Sequence, residues 1–318
     1  MIRKLLAGLA IAAATLTPDL TQNAHAADYP ERPITVIVPF GAGGEADIIG
    51  RLLATEMSKL LGQNIAVQNI VGASGLNGMN AVATAKPDGY TLGFCPSAPL
   101  AIHPHMRKLP YSIDTFTIIG RAVNAPYYIV TPKNAPWNTT AELGKAVKEA
   151  PSKFFWASAG AGSVPFLAEL AFFKQYGMPS QNHVPFNGDA DAFQALAGNR
   201  AQLYATTAGT IKNFEVKPLV LLSNERDKAF PDCPTAKEEG KDLVISQWTC
   251  LFAPKGIPAD VVSKLSAAMK QACESPEFAD ALDKLGLAPG YLNTADTLAF
   301  IQKESDRNKA LLMSLAGK

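Results

Sequence analysis

The chain has 318 residues, 47% of them hydrophobic, enough to bury a substantial core as one large or two modest domains. Its formal net charge is +1 and no basic stripe interrupts it, which argues against nucleic acid as the main partner. Cys95, Cys233, Cys250 and Cys273 are scattered without a C-x-x-C, so metal and thioredoxin-type readings are weak and buried thiols or disulfides remain as alternatives.

Arg3 and Lys4 precede an apolar stretch, Leu5 to Leu16, and a polar segment then ends in Ala24-His25-Ala26. This is the pattern of a secretory signal peptide with an A-x-A cleavage site, and its apolar part is short for a membrane span. Residues 1–26 are assigned to a signal peptide, and the mature chain is expected to start near Ala27 as a periplasmic protein. No later segment is long and apolar enough to cross a membrane.

Ile34–Pro39 reads as a buried strand that stops at "GAGGEAD". Asp47–Leu61 reads as a helix, with Ile48, Ile49, Leu52, Leu53, Leu60 and Leu61 on one broad face and Gly62 as its stop. Ile65–Gln68 is the next short strand, followed by "VGASGLNG", a helix over Asn77–Ala85, the turn "PDGY" and a strand over Thr91–Cys95. A second unit begins after Tyr127. Its expected strands are Tyr128–Thr131, Phe154–Ala157, Asn182–Pro185, Gln202–Thr206 and Lys217–Ser223. Its expected helices are Thr139–Ala150 (capped by Thr139 or Thr140), Val164–Tyr176 and Ala190–Ala197. The run "SQWTCLFAPKG" reads as a strand crossing back, before helices over Ala259–Cys273, Pro276–Leu285 and Thr294–Leu315. This alternation predicts an α/β fold with mostly parallel sheets covered by helices.

Ligands of open α/β sheets sit beyond the carboxyl ends of the strands. Those positions carry loops rich in Gly and Ser: "GAGGEAD", "VGASGLNG", "CPSAP" and "SAGAGS". Small residues let a ligand approach the backbone, and helices that begin after such loops aim free N–H groups and a favourable dipole at an anion. Gly41, Gly43 and Ala46 also fit G-x-G-x-x-[GA], but a dinucleotide fold needs an acid at the end of its second strand, and here Gln68 and Asn69 stand there. A phosphate-binding P-loop would need G-K-[ST], which "GGEAD" lacks.

The segment "YPERPITVIVPFGAGGEADIIGRLLATEMSKLLGQ" closely resembles the start of the Bug receptors, the extracytoplasmic solute receptors of tripartite tricarboxylate transporters, whose pattern there is roughly YPxRPIxxIVPFxAGGxxDxxxR. The resemblance continues in "NIVGASGLNGMNAVATAKPDGYTLG", "ASAGAGSVPFLAEL", "VPFNGDADAFQALAG", "PDCPTAKEEG" and "WTCLFAPKGIP", and covers essentially the whole mature chain. It implies a two-lobed periplasmic binding protein fold (type II-like) with the ligand cleft between lobes. The lobes would be residues 27–127 with 247–318, and residues 128–246. It also implies a monomer that captures a small carboxylate or amino-acid-like ligand for integral membrane transporter subunits, with no cofactor and no metal. By the same carry-over Ala42, Gly43, Gly44 and Ala46 grip a carboxylate with Ser74 and Gly75, and Ser97 lines the floor. Ser158, Ser163, Phe186 and Asn187 come from the second lobe.

The sequence departs from the family pattern at informative places. Glu45 stands where a small or neutral residue is usual, Val71 replaces a Pro, Ser74 replaces a Gly, and Asn187 replaces a Lys. Asn199, Arg200 and Gln202 replace the usual G-Q-x-D. A missing Lys and an added Glu make the cleft less favourable to a multiply charged anion of the citrate kind. Glu45 either points to solvent or pairs with an amino group of the ligand. Asp47 either caps the helix or meets the ligand, and Arg51 has Glu56 and Asp47 within helical reach. His103, His105 and His183 show no metal spacing, and "HPH" reads as a turn. Trp156 can stack on an aromatic ligand or pack in the core. The alternative function is an exported α/β hydrolase-like enzyme acting on a small acid or ester. "GASG" misses the G-x-S-x-G spacing, and a triad would have to come from Ser163, His183 and Asp189.

Overall fold

The computed structural model describes residues 29–180, 182–186 and 189–316. The signal segment and Asn187 lie outside the described residues. The first α/β unit consists of β1 (Ile34–Val38), α1 (Glu45–Leu61), β2 (Ile65–Asn69), α2 (Leu76–Ala83) and β3 (Thr91–Pro96). β1 lies between β2 and β3 and runs parallel to both. Ile34, Val36 and Val38 are buried beneath α1, whose Ile49, Leu53 and Met57 face them in one cluster. Leu60, expected on that face, is 46% exposed. Gly62 closes the helix in the left-handed region, its N–H bonded to the carbonyl of Ser58 at 3.0 Å.

After α3 (Ala98–Ala101) and a tight turn over His103–His105, the chain enters β4 (Phe116–Pro132). This strand is far longer than the expected Tyr128–Thr131. Its first part pairs antiparallel with β9 (Ser246–Pro254), up to Pro126 opposite Ser246. Its second part lies between β7 (Tyr204–Thr207) and β8 (Val216–Leu221), again antiparallel to both. The partners of one continuous strand thus change at Pro126–Tyr127. Nearly all of it is buried on both faces, so it carries no alternation that would mark a strand by period.

The second sheet continues from β7 through a parallel bridge between Leu203 and Trp156 to β5 (Trp156–Ser158), which is parallel to β6 (His183–Pro185). It is covered by α4 (Thr140–Glu149), α5 (Val164–Gln175) and α6 (Asp189–Ala197), with α7 (Ala208–Ile211) after β7. Thr139 caps α4, accepting the Glu142 N–H at 3.2 Å. β9 then brings the chain back into the first sheet between β3 and β4. α8 (Ala259–Cys273) packs over that sheet, followed by α9 (Pro276–Lys284) and β10 (Pro289–Leu292), an edge strand on β4 where the sequence suggests only a loop. α10 (Thr294–Ala316) ends the described chain, with Asn308 bonded to the Ala101 carbonyl and Leu311 and Leu312 against the core of the second unit.

Parallel pairing holds for β1 with β2 and β3, and for β5 with β6; the crossing strands pair antiparallel, so both sheets are mixed. The reason is topological. A chain that leaves one sheet along β4 and returns beside it along β9 must run in the opposite direction. The architecture is a two-lobed α/β fold with the Gly-rich loops at the ends of the parallel strands.

Candidate ligand-binding cleft

The first loop joins β1 to α1. Ala42, Gly43, Gly44 and Glu45 are exposed, while Ala46 and Asp47 are buried. Gly43 takes φ +80°, a conformation that favours glycine, and a Cβ there would meet nothing within 4 Å, so the space in front of the loop is open. Gly44 starts α1 without a side-chain cap. The first-turn N–H groups therefore lack the oxygen that Ser, Thr or Asp would supply.

Asp47 braces this loop. It accepts hydrogen bonds from the Gly43 N–H at 2.9 Å, from Arg51 Nε at 3.0 Å and from Asn69 Nδ2 at 2.9 Å. Asn69 also donates to the Phe40 carbonyl at 2.9 Å, so the end of β2 is tied to both sides of the loop. The Arg51 hydrogen bond, followed by those of Gly43 and Asn69, outweighs burial and holds the Asp47 carboxyl down at about 2. Asp47 reaches back from the first turn of α1 to the Gly43 N–H in the loop ahead of the helix, and so braces the loop. Arg51 pairs with Asp47 at 2.9 Å, whereas Glu56 pairs with Lys59.

The second loop stands beside the first. Gly78 packs directly on Pro39 and the Ile70 carbonyl, and Gly75 packs on the Phe40 ring. Ala73 and Ser74 both have positive φ, at roughly 1–2 kcal/mol each for such residues. Ser74 is exposed and Gly75 is buried. Arg107 Nη2 donates to the Ala73 carbonyl at 3.0 Å, which places a cation against this loop. Nothing in the local sequence signals that contact, because Arg107 lies beyond β3 in the "HPHMR" turn.

Ser97, Ser158 and Ser163, singled out in the sequence, are engaged with the protein itself. Ser97 is buried and donates to Gln247 Oε1 at 2.9 Å. Ser158 is fully buried; its Oγ lies 2.6 Å from His183 Nε2 and accepts the Gly160 N–H at 3.1 Å. Ser163 caps α5 through the Phe166 N–H at 3.3 Å. Phe186 is half-buried, and its N–H is bonded to the Ser158 carbonyl. Trp156 stacks on His183 with ring centroids 4.3 Å apart and is buried, so its packing is that of a core residue. Met106 packs against Gly162, joining the "HPHMR" turn to the loop of the second unit.

Acids gather where the two units meet. Glu45, the first residue of α1, is reached by solvent yet flanked by protein, the condition of a side chain inside a cleft. That surrounding, with the Asp189 carboxylate nearby, pushes its carboxyl up to about 7. Asp189 opens α6 and accepts a hydrogen bond from the Tyr204 hydroxyl. Asp189, like Glu45, is reached by solvent, and the protein packed around it raises its carboxyl despite that bond. Glu169 on α5 is fully buried; its Oε1 accepts the Ala205 N–H at 2.7 Å and its Oε2 has no hydrogen-bond partner among the described residues. Tyr127 lies in the field of Asp189, Glu45 and Glu169 at once, so these groups form one neighbourhood spanning α1, α5, α6 and β4.

The geometry gives the triad no support. Ser163, His183 and Asp189 are not linked: His183 serves Ser158, Ser163 caps a helix and Asp189 holds Tyr204. Among the described residues no group of three or more His, Cys, Asp and Glu is placed to hold a metal ion. The four cysteines are buried free thiols. A surface cavity of about 670 Å³ lies away from the loops, lined by Thr140, Gly144, Lys148, Tyr176, Glu239 and Lys241. It is a broad groove beside α4, and neither glycine loop borders it.

The family model described as tripartite tricarboxylate transporter family receptor matches residues 49–316. A UPF0065 protein of Bordetella pertussis is 34% identical over 299 residues, 92% of each chain. A TctC solute binding protein from Polaromonas has a crystal structure similar at TM-score 0.80 and 32% identity, covering 90% of this chain and 99% of that one. MatC from Rhodopseudomonas palustris, solved with bound malate, is similar at TM-score 0.74 and 31% identity, covering 89% and 99%.

Proposed function

The chain belongs to the tripartite tricarboxylate transporter receptor family, and we propose how it serves as one: it captures a small carboxylate-bearing solute in the cleft between its lobes. The ligand carboxylate sits against backbone N–H groups of Gly43, Gly44, Glu45 and Ala46 and against Ser74 and Gly75, with Ala42 at the rim. Asp47 and Ser97 hold this shell from behind. Ser158, Ser163, Phe186 and Asn187 approach from the other lobe. The observation that carries the reading is the adjacency of two exposed loops at the ends of parallel strands, one opening an uncapped helix. Such a helix start is a ready anion site. Binding of malate by MatC is in line with it.

In this reading residues 27–127 with 247–318 form one lobe and residues 128–246 the other. The receptor works as a periplasmic monomer, processed near Ala26, and hands its ligand to integral membrane subunits. In this reading it does not transform the ligand: among the described residues no activated nucleophile is seen at the loops. The buried Ser158–His183 pair packs as structure. A thermal-shift screen of the mature protein against small carboxylates tests this. A ligand at 100 times its Kd should stabilise by about 2.7 kcal/mol. The compound should be recovered unchanged after long incubation. Turnover would favour an enzyme, and no shift with any carboxylate would reject the receptor reading.

A further inference from the structure

The cleft carries charge of both signs, at different places. Arg107 stands at the second loop, bonded to the Ala73 carbonyl, on the side where the carboxylate is expected. Glu45 and Asp189 stand at the starts of α1 and α6, one from each lobe. Neither acid forms an ion pair among the described residues, and Arg51, the nearest base along α1, is engaged with Asp47 and Asn69. On α5 the fully buried Glu169 keeps one carboxyl oxygen without a partner among the described residues. It lies close enough to Asp189 to feel its charge, and the buried Tyr127 and Tyr204 lie in the field of Asp189 and Glu169 as well. Three acids and two phenols therefore converge from α1, α5, α6, β4 and β7 with no protein cation paired to them among the described residues.

Resting on the carboxylate reading above, we propose that the cleft is polarised and selects a zwitterion, an amine-bearing carboxylate. Its carboxylate lies toward the glycine loops and Arg107, and its ammonium lies between Glu45 and Asp189. An ammonium supplies the countercharge that the protein omits. It also donates up to three hydrogen bonds to oxygens that otherwise repel one another. A plain diacid would bring a second negative charge to the acidic end. The protein around Glu45 and Asp189, with the Asp189 charge acting on Glu45, raises both carboxyls and so favours a bound proton. An ammonium displaces that proton, so capture of a zwitterion at pH 7 releases it to solvent.

The test is titration calorimetry of the mature protein with matched probes: L-glutamate against glutarate, L-aspartate against succinate, and 4-aminobutyrate against butyrate. Buffers of different ionisation enthalpy report the proton. In at least one pair the amine-bearing member should bind tenfold or more tightly and release a proton. Glu45→Gln, at an exposed position that should not disturb folding, should weaken that member at least tenfold and leave the plain acid unchanged or tighter. Asp189→Asn should act in the same direction. Plain acids binding as tightly as their amine partners, or Glu45→Gln acting equally on both, would overturn the proposal while leaving the carboxylate receptor intact. If no probe of either kind binds, the carboxylate reading and this proposal fall together.

Discussion

At the scale of single residues, the support of the cleft rests on Asp47. Its carboxylate satisfies Gly43, Arg51 and Asn69 in a nearly closed environment. Asp47→Asn removes the charge and leaves at least one of these donors unpaired, so it should cost about 1–3 kcal/mol in denaturant unfolding. The pH dependence has a definite sign. The folded carboxyl is lowered from 3.8 to about 2, so its stabilisation is complete above the ordinary carboxylate range and is lost as pH falls toward 2. Part of the acid-side loss of stability should disappear in Asp47→Asn. Glu45 works the other way: its carboxyl is raised from 4.5 to about 7, so stability declines as pH rises between those values. In Glu45→Gln that decline, between about pH 5 and about pH 7, should flatten; an unchanged slope would place the proton elsewhere. The sequence made the Asp47–Arg51 pair legible, because i,i+4 spacing on a helix is local. It carried no sign of Arg107 at the Ala73 carbonyl, 34 positions away, or of Glu169 at the Ala205 N–H, 36 positions away, since those contacts depend on the fold.

Among the elements, the decisive contact is α2 on the end of β1. A Cβ at Gly78 would lie 2.7 Å from Pro39 and 2.8 Å from the Ile70 carbonyl, and both are close to rigid backbone. Gly78→Ala should therefore push α2 outward, with a typical overpacking cost of about 1–3 kcal/mol. Because α2 carries the second loop, the same variant should bind carboxylates more weakly. Lost stability with unchanged affinity would show that the loop is held by something other than α2. Periodicity and glycine stops revealed most helices and the parallel strands, with ends shifted by a few residues. The same reasoning stopped short at β4, where the stretch before Tyr127 is buried on both faces, and at β10, an edge strand in the stretch between the expected helices Pro276–Leu285 and Thr294–Leu315, where no element is expected.

For the whole molecule, β4 and β9 form two adjacent crossings between the sheets, with α10 reaching from Ala101 to the second core. With these two strands as the hinge, closure on a ligand is the expected response. Saturating ligand should lower the radius of gyration in solution scattering; an unchanged value would count against closure, though not against binding. The central claim is that a carboxylate is held by the two glycine loops. A crystal structure with the most stabilising compound from the thermal-shift screen tests it most directly. It should place carboxylate oxygens within hydrogen-bond distance of N–H groups in residues 43–46 and 74–75. A ligand seated in the groove beside α4, with the loops free of it, would contradict the account.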